Sequence, residues 1–237
     1  MERHGEASPQ QAGTSAPLGA FLEELAGRLP PVKAVRPARL TIVLLLLQAV
    51  VVLIAVALSR PRPDLGLRLV EPLFVSLAAT LAVAGAVSGA FAVLAGIPGR
   101  VPGRAVIVLL WSLPVVLAAA SAVLSPRASA GVGMVDLLSR CWSCVGITTG
   151  VAAVVGAIAL LLIRPLASLW EVRAGILAGL SGGFLGALVT ELHCEITTAD
   201  HVALSHFLPI AAVACAGPLI SAIFHAWSGR VPSRGVP

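Results

Sequence analysis

Three of the four cysteines and three of the five histidines fall between residues 141 and 206. Cys141 and Cys144 form Cys-Trp-Ser-Cys, and Cys194 sits in Glu191-Leu192-His193-Cys194-Glu195. Paired thiols can form a disulfide, and thiolates with imidazoles can hold zinc. A Cys-x-x-Cys motif in a βαβ context reads as thioredoxin-like, but that context is missing here. On a helix Cys141 and Cys144 share one face at i, i+3. A metal reading would recruit His193, His201 and His206, although their spacing fits no standard zinc pattern. Three readings stand together: a structural or regulatory disulfide, a metal site, and inert thiols. In a disulfide, Cys194 has two candidate partners, Cys141 and Cys144. Cys215, alone in an apolar run, reads as a small buried residue.

The elements that must position these groups follow from composition. Of 237 residues, 58% are apolar and 11% charged, and the mean hydropathy is +0.98. A soluble domain is about 25% charged, so this chain cannot cover a water-facing surface. Tyr is absent and aromatics are 4%, which excludes the aromatic girdles of an outer-membrane barrel. The apolar residues form six long runs, at 40–58, 73–97, 105–124, 144–163, 174–190 and 207–227. At about 1.5 Å per residue, 20 helical residues cross a bilayer core of about 30 Å. The fold class expected is an all-α polytopic membrane bundle of six helices. Residues 1–39 precede the first run, too many for the short basic start of a cleaved signal peptide.

With the N-terminus cytoplasmic, eleven of the sixteen Lys and Arg fall in the inner segments. The positive-inside rule therefore puts both termini in the cytoplasm and the cysteine-rich ends outside. The net charge of +5 is mostly this topology signal. No basic patch is interleaved with aromatics, so direct nucleic-acid binding is not expected. Gly175, Gly179 and Gly183 recur at every fourth position of the fifth run, with Gly182 and Gly186 as a second pair. Gly85 and Gly89, and Gly146 and Gly150, repeat the spacing in the second and fourth runs. Small residues four apart let helix backbones approach closely.

Before the first run lies an arm. Residues 1–17 have the composition of a disordered start. Leu18, Phe21, Leu22, Leu25 and Leu29 then fall on one helical stripe, with Glu23, Glu24 and Arg28 off it. Pro30-Pro31 ends the helix, and a basic linker leads to the membrane at residue 39. Such a helix can lie on the membrane, pack back on the bundle or dock in a partner's groove, and a polar face that is not basic favours the protein partner over the membrane surface. A tail, 228–237, follows the last run.

Other chemistry is sparse. His225 is the one ionisable residue inside a run, and no buried acid or proton relay is expected. No phosphate-binding loop, His-Glu-x-x-His helix or Gly-x-Ser-x-Gly elbow occurs. The chain is expected to be no enzyme and to need no cofactor.

Four places in the chain resemble the NrsF-like family, named for a negative regulator of sigma F. They are Leu29-Pro30-Pro31-Val32 with Arg36-Pro37; Arg62-Pro63-Asp64-Leu65 with Glu71-Pro72-Leu73-Phe74; Pro98-Gly99-Arg100; and Leu192-His193-Cys194 followed by His206. The resemblance covers about residues 18–227, and Leu-His-Cys is its most specific part. It implies a small bacterial inner-membrane protein with six helices. Such a protein would act as an anti-sigma factor that holds an extracytoplasmic-function sigma factor at the membrane and releases it on periplasmic redox or metal stress. Cys144 and Cys194, 50 residues apart, inherit the sensing role from the family's two outer cysteines. Cys141 is an additional thiol, so the partner of Cys194 stays open between the two. The arm's apolar stripe is the expected sigma contact, on grounds of amphipathicity. Two rivals are a membrane thiol-disulfide oxidoreductase and a small exporter or scaffold subunit.

Overall fold

A computed structural model describes residues 19–21, 23–24, 27, 36–97, 99–100, 102–124, 134–164 and 171–228. The chain divides into two units, Met1–Val35 and Arg36–Pro237. In the first unit, residues 19–21, 23–24 and 27 are helical and Phe21 is exposed. The other members of the stripe (Leu18, Leu22, Leu25 and Leu29) lie outside the described residues.

In the second unit every regular element among the described residues is helical. The elements are α1 (Pro37–Ser59), α2 (Leu65–Arg68), α3 (Pro72–Ala95), α4 (Arg104–Leu124), α5 (Met134–Ile163) and α6 (Glu171–His193). A four-residue helix α7 (Ala199–Val202) then runs through a π-helical turn (Ala203–Phe207) into α8 (Leu208–Ser228). Pro37 and Pro72 open α1 and α3 at positions where the missing N–H costs nothing. Pro114 and Pro218 sit inside α4 and α8. Gly99 takes φ +79 in the turn between α3 and α4, a conformation that suits glycine.

Among the described residues, six helices are long and apolar enough to cross a membrane. The sixth differs most from its hydropathy run, and the fourth also begins earlier. The fourth span begins at Cys141 rather than 144, and the sixth begins at Ala199 rather than 207. Among the extra residues His201, Ser205 and His206 are polar but buried, and Cys141 is buried while Trp142 is exposed, so hydropathy alone does not mark this stretch.

Helix α6 is the axis of the bundle. Its span is 78% buried, against 11% for α1 and α4. It packs against α8, α5 and α3, and small residues open each face. A Cβ at Gly175 would strike Gly217, one at Gly179 would strike Val213 and Ala214, and one at Gly183 would strike Ile210, all on α8. On the next face, a Cβ at Gly182 or Gly186 would run into the Ala152 or Thr148 carbonyl of α5. Ser181 Oγ donates to the Gly85 carbonyl of α3 at 2.8 Å and accepts from Gln48 Nε2 of α1 at 2.9 Å. Gly146 and Gly150 behave differently: nothing lies within 4 Å of a Cβ at either. Their spacing marks no helix contact here, because they face away from α6. Cys215 is also exposed rather than buried, on the outer side of α8.

Candidate cysteine–histidine centre

The centre is assembled at the C-terminal end of α6. Helix α5 presents Cys141 and Cys144 on one face, and both are buried. The loop after α6 brings Cys194 against them. Its sulfur lies 3.4 Å from Cys144 Sγ. Of the two thiols on α5, Cys144 abuts Cys194, whereas Cys141 Sγ sits 3.4 Å from His201 Nδ1. On its other side the His201 ring places Nε2 3.2 Å from Cys194 Sγ.

His206 completes the cluster through the π turn. On an α-helix residues five apart point about 140° away from each other. The i→i+5 pairing of a π turn stacks them instead. The His201 and His206 rings accordingly meet edge to face with centroids 5.6 Å apart. Pro209 contributes to the irregularity. It has no N–H to give the Ser205 carbonyl, which accepts from Thr148 Oγ1 of α5 at 3.3 Å. Thr148 also lies 2.7 Å from Thr190 Oγ1 of α6. The ligand-type atoms of Cys144, Cys194, His201 and His206 all fall within 4.8 Å of one another, and all four residues are buried.

An acid is buried beside them. Glu191 is 7% exposed, and its Oε1 lies 2.7 Å from His206 Nδ1. The expectation of no buried acid is corrected here. A carboxylate at the end of a helix reads as a loop charge, yet this one is desolvated and paired. His193 stands outside the cluster, with Nδ1 2.8 Å from the Arg60 carbonyl. His225 belongs to a part of α8 whose side-chain placement lies outside the described residues.

A second layer holds the loop. Arg62, 4% exposed, donates from Nη1 to the Cys194 carbonyl at 2.7 Å, and its backbone N–H donates to the Leu192 carbonyl at 3.0 Å. The remaining guanidinium N–H groups fork onto Asp64 at 2.6 and 2.9 Å. Arg68 bonds Asp64 at 3.2 Å and Glu71 at 2.7 Å. The Arg62 hydrogen bond is the main cause that lowers the Asp64 carboxyl to about 2, with Arg68 helping and burial opposing. Glu71 and then Asp64 push Arg68 upward. The Cys194 thiol is pushed up by its contact with Cys144 and by burial, against the pull of His201 and His206.

Sequence reasoning placed Cys141, Cys144, Cys194, His201 and His206 among the candidates, and the fold brings these five together. It missed Glu191 and the Arg62–Asp64 fork. The signal for the fork was present, since Arg62-Pro63-Asp64-Leu65 carries an Arg and an Asp two apart before a short helix.

Taken together, the chain is an all-helical, multi-pass membrane protein with a buried thiol–imidazole cluster at one end of its bundle. A family model described as "Negative regulator of sigma F" matches residues 25–227, most of the chain. The protein belongs to that family, NrsF. No curated protein and no solved structure matches it.

Proposed function

We propose that this protein is a membrane-bound anti-sigma factor. It sequesters an extracytoplasmic-function sigma factor at the cytoplasmic face of the bacterial inner membrane and releases it when the outer cysteines respond to redox or metal stress. Both termini lie in the cytoplasm, and the arm at 18–29 is the sigma contact. The protein acts by binding rather than by turnover. Family membership supports the sigma factor as partner, and the Lys and Arg distribution supports the orientation.

The observation that carries the sensing step is the 3.4 Å separation of Cys144 Sγ and Cys194 Sγ. A disulfide needs about 2.05 Å. A small disulfide or peroxide in the extracytoplasmic compartment takes two electrons and two protons from the pair, leaving an S–S bond and a reduced oxidant. The sulfurs then approach by more than 1 Å, which pulls the end of α5 against the loop after α6. Those helices touch backbone to backbone at Gly182 and Gly186, so the displacement is passed along α6 as a shift rather than absorbed by side chains. The two packings must differ in sigma affinity for release to follow.

The test is cross-linked capture of the intact membrane protein, with partners identified by mass spectrometry and a chain lacking residues 1–30 as control. A sigma factor is recovered with the intact chain and lost with the control. Cys144→Ser and Cys194→Ser each abolish oxidant-induced release at unchanged protein level, whereas Cys141→Ser retains it. Release that survives both Cys144→Ser and Cys194→Ser would sink the sensor.

A further inference from the structure

We infer that Cys144, Cys194, His201 and His206 form a four-ligand site for a borderline divalent cation of the zinc class. Glu191 and Cys141 act as positioning residues for its two imidazoles. Sequence spacing had pointed away from such a site, and the π turn creates it.

Three observations carry the inference. The first is the donor set. Two thiols and two imidazoles are the S2N2 set that tetrahedral zinc takes. Bonds of about 2.3 Å to sulfur and 2.0 Å to nitrogen put tetrahedral ligand atoms about 3.3–3.8 Å apart. The Cys144–Cys194 and Cys194–His201 separations are 3.4 and 3.2 Å, and the whole set lies within 4.8 Å.

The second is an unpartnered atom. His206 is 1% exposed, and its Nε2 makes no hydrogen bond. A buried polar atom without a partner is costly, and a metal ion removes that cost. The third is the outer layer. The Glu191 carboxylate on Nδ1 keeps the proton there and leaves the Nε2 lone pair free, as the carboxylate–histidine–metal arrangement requires. Cys141 sits in the same relation to His201, with Sγ by Nδ1 while Nε2 faces Cys194. The additional thiol therefore supports a ligand rather than competing for Cys194. A cavity of about 390 Å³ has Glu191 and Val202 on its wall and Arg68 and Glu71 among its lining residues.

Binding is balanced without electron transfer. Two M–S and two M–N bonds form, and the two thiol protons leave to solvent. The thiolate charges cancel the dication, so the ion with its four ligands is neutral, and the Glu191 carboxylate adds one negative charge beside it. This inference deepens the sensing reading of the same sulfurs. Metal content is measured without any sigma factor, so failure of either reading is distinguishable from failure of the other.

The experiment uses the full chain, purified in detergent under reducing conditions without a histidine tag. Zinc content is measured by mass spectrometry of the element, and Co²⁺ serves as the spectroscopic probe. The expected result is one zinc per chain, and tetrahedral cobalt bands with sulfur charge transfer that zinc displaces. Cys144→Ala, Cys194→Ala and His206→Ala fall below one-tenth occupancy where the wild type is full. Glu191→Gln weakens affinity by about 10–100-fold while keeping the tetrahedral spectrum. Cys141→Ser also keeps the spectrum. A folded, monodisperse wild type with neither zinc nor tetrahedral cobalt bands overturns the site. So does a Cys141→Ser variant that loses metal as fully as Cys144→Ala.

Discussion

The two ends of α6 are buried to similar depth but held by different physics. From Gly175 to Gly186 the helix meets α8 and α5 through backbone contacts that leave no room for a Cβ. From Thr190 onward it meets its neighbours through a hydroxyl pair, a carboxylate–imidazole pair and thiols. In lipid no hydrophobic force draws helices together, so the first region relies on close packing and the second on polar contacts. Packing of this kind has one good arrangement. Thiols and imidazoles have several, depending on oxidation and on metal. The same helix thus joins a part that resists change to a part that invites it.

The largest effect separates glycines that look equivalent in sequence. Gly186→Val drives a side chain into the Thr148 carbonyl region. We expect a loss of about 3 kcal/mol, the upper part of the range for overpacked cores, read as a collapse of folded yield and of the thermal midpoint in detergent. Gly150→Ala meets nothing and removes a flexible residue from a helix. It raises stability by about 0.5 kcal/mol. Equal losses at the two positions would show that α5 does not face α6 as described.

Next comes the fork that pins the polar end. Arg62→Met keeps much of the side-chain volume but removes the donor to the Cys194 carbonyl and leaves Asp64 with Arg68 alone. The expected loss is about 2 kcal/mol, the scale for a charged hydrogen bond removed from a buried acceptor. A second readout isolates the local effect: alkylation of Cys194 by a thiol reagent becomes faster, while that of Cys215 stays the same. If both thiols respond alike, Arg62 supports the whole fold rather than this loop.

The contrast also explains what was legible in the sequence. Six apolar helices followed from long uncharged runs, because the period of the run and the thickness of a bilayer leave little choice. The glycine contacts on α6 were legible as a spacing, but Gly146 and Gly150 carry the same spacing without a contact. A spacing of four says that two residues share a face and does not say which way the face points. At the cluster, residue types were legible and geometry was not. His201 and His206 are five apart, a separation that places them together only through a π turn. Glu191 reads as a loop charge until His206 is seen against it. Non-local partners defeat one-dimensional reading most at the place where polar groups are buried.

The smallest effect concerns pH at the outermost layer of the polar end. Asp64 carries its carboxyl at about 2, chiefly because Arg62 bonds it. A folded pKa below the usual carboxylate value means that the native state favours the ionised form. The contribution is therefore complete above about pH 4, the unfolded value, and is lost as pH falls through the folded value near 2. Comparing wild type with Asp64→Asn as a function of pH isolates this group from the other carboxylates. The thermal midpoint of the wild type exceeds that of the variant above pH 4, and the gap narrows steadily as pH falls toward 2. Gly150→Ala meets no titratable group, so it keeps its offset from wild type across the same range. A gap between wild type and Asp64→Asn that does not narrow would mean that the fork acts through shape rather than charge, and the two ends of α6 would then differ less than their chemistry suggests.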